Sequence, residues 1–256
     1  MNRIEMKGRI CLWIALPAIV TTMTMAAPED RTVEIAKDMM RAMGGEAAWK
    51  QARYVRFDFT FQFRGRVITA RAYLWDKQTG RARLEDKSAE GKFSVVLFNS
   101  RDPKGAAYMT GKKLEGQDAA ADLKGAARTL SLDSDWLALP WNLLSPGFHL
   151  KYAGEKSLNG QVFDVVEVAV DSRAGGPAMR YSAYVSRQSH LMEYCSVGTE
   201  ASLWDWKYTT AGGVQLAGEH HNPDKKAAIS MGNVKVLDKV DDAFFTDPAR
   251  GLTALQ

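Results

Sequence analysis

Histidine, aspartate and cysteine are the side chains here with chemistry to offer, and their spacing assembles little of it. Of the four histidines, His220 and His221 are adjacent near the end of a strand-like segment. On a strand they face opposite sides of the sheet and cannot share one ion from that element. His149 and His190 are isolated, so a metal centre would have to be assembled across strands, and surface or turn positions are the plainer reading. Asp133/Asp135 and Asp241/Asp242 both precede apolar segments, where carboxylates serve as helix caps. Cys195, in Leu191-Met-Glu-Tyr-Cys-Ser-Val197, has no motif around it and reads as a buried structural thiol. There is no Gly-x-Ser-x-Gly elbow, Walker loop, His-Glu-x-x-His or Cys-x-x-Cys. The motifs therefore point to no enzyme, no metal and no cofactor.

The aromatic residues carry a stronger signal. Phe57, Phe59 and Phe61 share one face of a strand, Tyr73 and Trp75 lie on the next, and Trp204, Trp206 and Tyr208 sit on a late one. These faces are larger than strand pairing requires. They either fill a core or line an apolar cavity that shields an acyl chain, at about 0.8 kcal/mol per buried CH₂. The stretch from Leu132 to Leu150, with Trp136, Leu139, Trp141, Leu143, Leu144 and Phe148, is the most apolar after the N-terminus and is broken by Pro140 and Ser145-Pro146-Gly147. Its spacing is helical, capped by Asp133 or Ser134, and Pro140 forbids a long regular helix. It reads as a lid or plug over a curved sheet, or as an ordinary core helix. A lid trades contacts with the sheet for contacts with a ligand, so Trp141 would then matter more for binding than for the fold.

The elements that position these residues follow from periodicity. Pro28 to Gly45 has acids at its start, an apolar stripe of Val33, Ile35, Ala36, Met39, Met40 and Met43, and a closing Gly pair, which predicts a helix. A short helical piece over 46–52 brings Trp49 inward. Then Val55, Phe57, Phe59, Phe61 and Phe63 alternate with Arg56, Asp58, Thr60 and Gln62, the pattern of a half-buried strand. Strand and turn signals repeat to residue 237, interrupted by an Ala/Asp/Lys-rich stretch over 117–128 and the Trp-rich segment. About eleven antiparallel strands in a single sheet must curl or close, giving an incomplete β-barrel. The fold class is mainly β with α, its concave face filled by the N-terminal helix and a central lid helix.

The chain has 256 residues and a formal charge of +4. Arg3, Lys7 and Arg9 precede an apolar run, and Thr24-Met25-Ala26 offers small residues for cleavage, so 1–26 reads as a signal peptide and 27–256 as one domain. Losing those three cations and Glu5 lowers the charge by three and raises it by one, to +2. The apolar run is too short for a membrane span of about 20 residues. Scattered basic residues form no nucleic-acid groove. After cleavage only Cys195 is left, so no internal disulfide forms.

Three segments together resemble a known family. Met43-Gly-Gly-Glu-Ala-Ala-Trp49 leads into Tyr54-Val-Arg-Phe-Asp-Phe59, Asp133-Ser-Asp-Trp-Leu-Ala-Leu-Pro-Trp141 is followed by Ser145-Pro-Gly147, and Asp241-Asp-Ala-Phe-Phe-Thr-Asp-Pro248 closes the chain. They resemble the outer-membrane lipoprotein-sorting (LolA-like) superfamily, in an uncharacterised periplasmic branch. The resemblance implies an incomplete barrel capped by helices, an apolar interior that receives the acyl chains of lipoproteins or lipids, and an arginine touching the lid, for which Arg56 and Arg71 are candidates. It implies a monomeric periplasmic carrier that deals with envelope membrane proteins. A sensor or scaffold that binds a protein partner through the same fold is the alternative.

Overall fold

The computed structural model describes residues 28–87, 91–198 and 202–255; the expected signal peptide over 1–26 lies outside them. Helix α1 (Pro28–Ala42) buries Ile35, Ala36, Met39 and Met40, the stripe expected of it, and packs against the later helix Gly116–Asn142 and the strand Phe148–Leu158. Gly44 ends it at φ 114°, and a Cβ there would stand 2.4 Å from the Gly213 carbonyl oxygen, so only glycine passes. Helix α2 (Glu46–Gln51) follows.

The strands are β1 (Tyr54–Phe63), β2 (Arg66–Asp76), β3 (Arg81–Lys87), β4 (Phe93–Asn99), β5 (Gly105–Met109) and β6 (Lys112–Lys113), then β7 (Phe148–Leu158) to β14 (Ala227–Leu237) after the long helix α3 (Gly116–Asn142). Between these last lie β8 (Gln161–Val170), β9 (Met179–Ser186), β10 (Met192–Val197), β11 (Trp204–Asp205), β12 (Lys207–Ala211) and β13 (Val214–Asn222). Every pairing is antiparallel, and β14 pairs β1, so the two ends of the chain meet in one ladder. The sheets do not close into a barrel: β6 and β7 are free edges, and α3 is the connection between them.

Two details of the expected sheet change. The hydrogen-bonded ladder splits into nine strands (β12-β13-β14-β1-β2-β3-β4-β5-β6) and five (β11-β10-β9-β8-β7), joined by the chain at Trp206. There the segment read as one strand changes partner: Trp206 N–H still donates to Glu193 O of β10, at 2.8 Å, whereas Lys207 onward pairs β13. That split and the two-residue β6 each add a strand, and the described residues hold fourteen in all.

The concave face carries Val55, Phe57, Phe59 and Phe61 of β1, opposite Trp75, Tyr73, Arg71 and Thr69 of β2, and α3 lies against it. The convex face has its own cluster: Tyr54 and Leu74 pack under Phe244 and Phe245 of α4 (Ala243–Thr246) and under Leu252. This explains why β1 is buried on both faces over Tyr54–Phe57 despite its alternating pattern. The outward-facing polar position there, Arg56, is buried with Asp58 beside it and donates to the Tyr73 carbonyl at 3.4 Å. Asp241 Oδ1 accepts from the Ala243 N–H at 3.0 Å and so serves the start of α4, whereas the Asp242 side chain makes no cap bond there.

Candidate functional site

Helix α3 positions the site, and it begins earlier than the Trp-rich stretch. The Ala/Asp/Lys-rich segment before that stretch is its first half, so Asp133 and Asp135 lie well inside the helix and do not cap it. Each instead reaches a different wall. Asp133 Oδ2 accepts from Tyr73 Oη at 2.6 Å and from Arg71 Nη1 at 2.9 Å on β2. Asp135 Oδ2 accepts from Arg173 Nη2 at 2.6 Å and from Tyr181 Oη of β9 at 3.2 Å. Both carboxylates are buried, and burial lifts their pKa above the ordinary value against the pull of the arginines. Two Asp–Arg–Tyr groups thus tie one helix to both sides of an open sheet. Of the two candidate arginines, Arg71 is the one that touches the helix.

Pro140 explains a third tie. A helical proline has no N–H for the carbonyl four residues earlier, here that of Trp136, and the backbone breaks at Ala138 (φ −141°, ψ 19°). His220 Nε2 stands 2.8 Å from that orphan oxygen and Nδ1 stands 3.2 Å from Asp205 O. A neutral imidazole has one N–H, which the shorter contact assigns to Nε2. The ring is buried against Trp206 (4.1 Å between centroids) and Trp136 (5.2 Å), and burial pushes its pKa down to about 4. A histidine depressed below its unfolded value of about 6.5 contributes stability that is present above that value and lost as pH falls toward 4. His220→Leu is therefore expected to destabilise the protein at neutral pH by about 1–3 kcal/mol through the unmet Trp136 carbonyl. It should also flatten the wild-type fall in stability between about pH 6.5 and 4; denaturant melts at both ends of that range measure it, and an unchanged slope would clear His220 of the effect.

Between these walls, over α3, opens an apolar cleft of about 360 Å³. Phe59, Phe61, Trp136, Tyr181, Trp204 and Ile229 line it, with Arg71 and Asp133 at its polar margin. Trp136 stacks on Trp206 at 5.8 Å and meets Trp204 edge-on at 4.9 Å. Of the aromatic and apolar residues expected to bind a ligand, Phe59, Phe61 and Trp136 reach this cleft. Phe57, Tyr73, Leu139 and Leu143 are packed between α3 and the sheet, and Trp75 is half-buried beside them. Trp141 is buried beyond the kink, stacked on Trp49 at 5.3 Å, and its Nε1 donates to Gln215 O at 2.9 Å. Leu144 is 41% exposed past the helix end, and Phe148 lies under the Arg173 guanidinium, 4.9 Å from its ring centre.

The other reactive groups are occupied elsewhere. Cys195 is buried and its thiol pKa is pushed well above the ordinary value, so it is no nucleophile at neutral pH. His149 faces Asp171 on the surface at 3.1 Å, His190 sits in a turn at φ 57°, and His221 lies beside Asp205. Among the described residues no three metal-ligating side chains come together, and no helix is long and apolar enough to cross a membrane. The sequence reading missed Arg173 and Tyr181, took Asp135 for a helix cap and took His220 for a surface or turn histidine; the available signal was that two carboxylates inside an apolar helix demand buried partners.

No protein-family profile and no curated protein matches this chain. Solved structures do show likenesses. A DUF1329 family protein from Desulfovibrio piger is 12% identical, with 90% of this chain and 100% of that one covered at a TM-score of 0.46. A LolA superfamily protein from Nitrosomonas europaea is 10% identical over 80% and 98% at 0.45. A putative outer membrane lipoprotein-sorting protein domain from Vibrio parahaemolyticus is 7% identical over 84% and 96% at 0.44. The latter two carry names of the superfamily that the sequence resembles; at TM-scores under 0.5 the superpositions carry no argument.

Proposed function

We propose that the protein is a periplasmic carrier or binding protein that shields acyl chains of lipoproteins or lipids against the concave face of its sheet, with α3 as the element that yields. The observation that carries this reading is the apolar cleft between Phe59, Phe61, Trp136 and Trp204, bordered by a helix that polar ties hold in place. The helix covers the same apolar surface an acyl chain would take. Exchanging one apolar cover for the other is nearly neutral in hydrophobic terms, so the Asp–Arg–Tyr ties set the closed population.

Weakening the ties should then help the ligand. Asp133→Asn/Asp135→Asn keeps size, removes both ionic partners from α3, and is expected to tighten binding of a fluorescent acyl probe by about tenfold or more, since apparent affinity scales with the open fraction. Native mass spectrometry and organic extraction of protein purified from the periplasm are expected to release an acyl-bearing molecule. Repeated absence of bound lipid together with no probe uptake by either form would end this reading.

A further inference from the structure

The β1–β2 hairpin end carries apolar residues that the fold does not use. Phe63 is 39% exposed, Val67 59% and Ile68 58%. Phe63 shares the face of Phe59 and Phe61, and Val67 pairs Gln62 on the opposite face, so the exposure of both leaves the hairpin end bare on its two faces. The cause is in the register. Among the described residues β3 pairs β2 only from Arg71 onward, and a bulge opposite Phe61 and Gln62 skips Ile68. The turn itself is tight, Arg64-Gly65 at φ 50° and 75°, which suits a two-residue hairpin and places a cation on either side of Gly65.

Cations surround this apolar end. Arg64 and Arg66 flank the turn, and the Arg64 guanidinium lies 5.1 Å from the Phe63 ring centre. Arg64 N–H donates to Lys226 O at 2.7 Å, which brings the exposed β13–β14 turn, Asp224-Lys225-Lys226, alongside. Three cations, Arg64, Arg66 and Lys226, with one acid nearby, make the end positive. It also adjoins the cleft: Phe61 and Thr69, which line the cleft, are paired at the hairpin's base.

We propose that this hairpin end docks on an anionic lipid surface, with Phe63, Val67 and Ile68 entering the boundary between headgroups and acyl chains while Arg64, Arg66 and Lys226 meet the phosphates. Apolar insertion plus a basic patch is the pairing that gives stable but reversible attachment. A protein partner would favour an apolar face backed by protein on its other side; a hairpin end bare on both faces and ringed by cations suits insertion between headgroups. Docking there turns the cleft mouth to the membrane. This deepens the carrier reading by naming the surface that supplies or receives the ligand, but does not require the cleft to be occupied.

The test is flotation of the natively processed protein with vesicles of phosphatidylethanolamine and phosphatidylglycerol, against phosphatidylcholine alone. Association is expected with the anionic vesicles and should weaken with salt. Arg64→Gln/Arg66→Gln is expected to weaken it about 30-fold, at about fivefold per cation. Val67→Ser/Ile68→Ser is expected to weaken it about tenfold or more through lost apolar burial. Thermal midpoints matching wild type establish that both variants fold. No association by wild type, or association equal in both variants and on neutral vesicles, overturns the proposal. Acyl-probe uptake by the same proteins separates the two readings: docking without uptake upholds the hairpin and sinks the carrier, and uptake without docking does the reverse.

Discussion

Arg83→Leu is expected to lower the unfolding free energy by about 3–5 kcal/mol, the scale for breaking one side of a buried charge pair. The guanidinium is fully buried on β3 and makes four hydrogen bonds. Its Nε donates to Glu85 Oε1 at 2.7 Å, Nη1 to the carbonyls of Phe244 and Asp247 at 3.2 and 2.9 Å, and Nη2 to Pro248 O at 2.9 Å. Glu85 Oε1 also accepts from the Leu252 N–H at 3.0 Å. One side chain therefore pins the C-terminal segment that covers Tyr54 and Leu74 on the convex face. The variant strands the Glu85 carboxylate and three carbonyls together. Denaturant unfolding measures the loss, and limited proteolysis should show the C-terminal segment released first. Arg83→Leu/Glu85→Leu should recover part of the loss, because removing both partners leaves no orphan charge; a double variant worse than the sum of the singles would contradict this account.

Trp141→Ala is expected to cost about 3–5 kcal/mol of stability, the range for a large aromatic removed from a packed interior. Read from sequence as part of a movable lid, Trp141 would affect binding more than folding. The structure puts it beyond the Ala138 kink, stacked on Trp49 with its indole N–H bonded to Gln215 O, so it belongs with the packed end of α3. Trp136 is the half-buried cleft residue, and Trp136→Ala is the comparison expected to move acyl-probe binding more than the melt. Thermal and denaturant unfolding of the two variants side by side decides between them. Near-wild-type stability in Trp141→Ala would return that residue to the movable part.

Much of the β architecture was legible because it rests on neighbours a few residues apart. The alternation from Val55 to Phe63 specifies β1 and its inner face, and Gly-bearing turns separate most of the later strands. The first half of α3 was not legible as helix: its alanines, acids and single lysine make no strong apolar stripe, and only its contacts with β4 and β5 show where it lies. Nor could one strand signal around Trp206 reveal a change of partner, since pairing to β10 and then β13 is the same extended backbone locally.

The sequence by itself determined the strand faces, the α1 stripe, the break at Pro140 and the absence of any local catalytic motif, all properties carried by backbone geometry and short spacing. Only the tertiary structure decided that Asp133 meets Arg71 and Tyr73, that Asp135 meets Arg173 and Tyr181, and that His220 answers the Trp136 carbonyl. A buried charge or carbonyl requires a partner, but local sequence does not say which; the curvature of the sheet chooses it by bringing strands far apart in the chain against one helix.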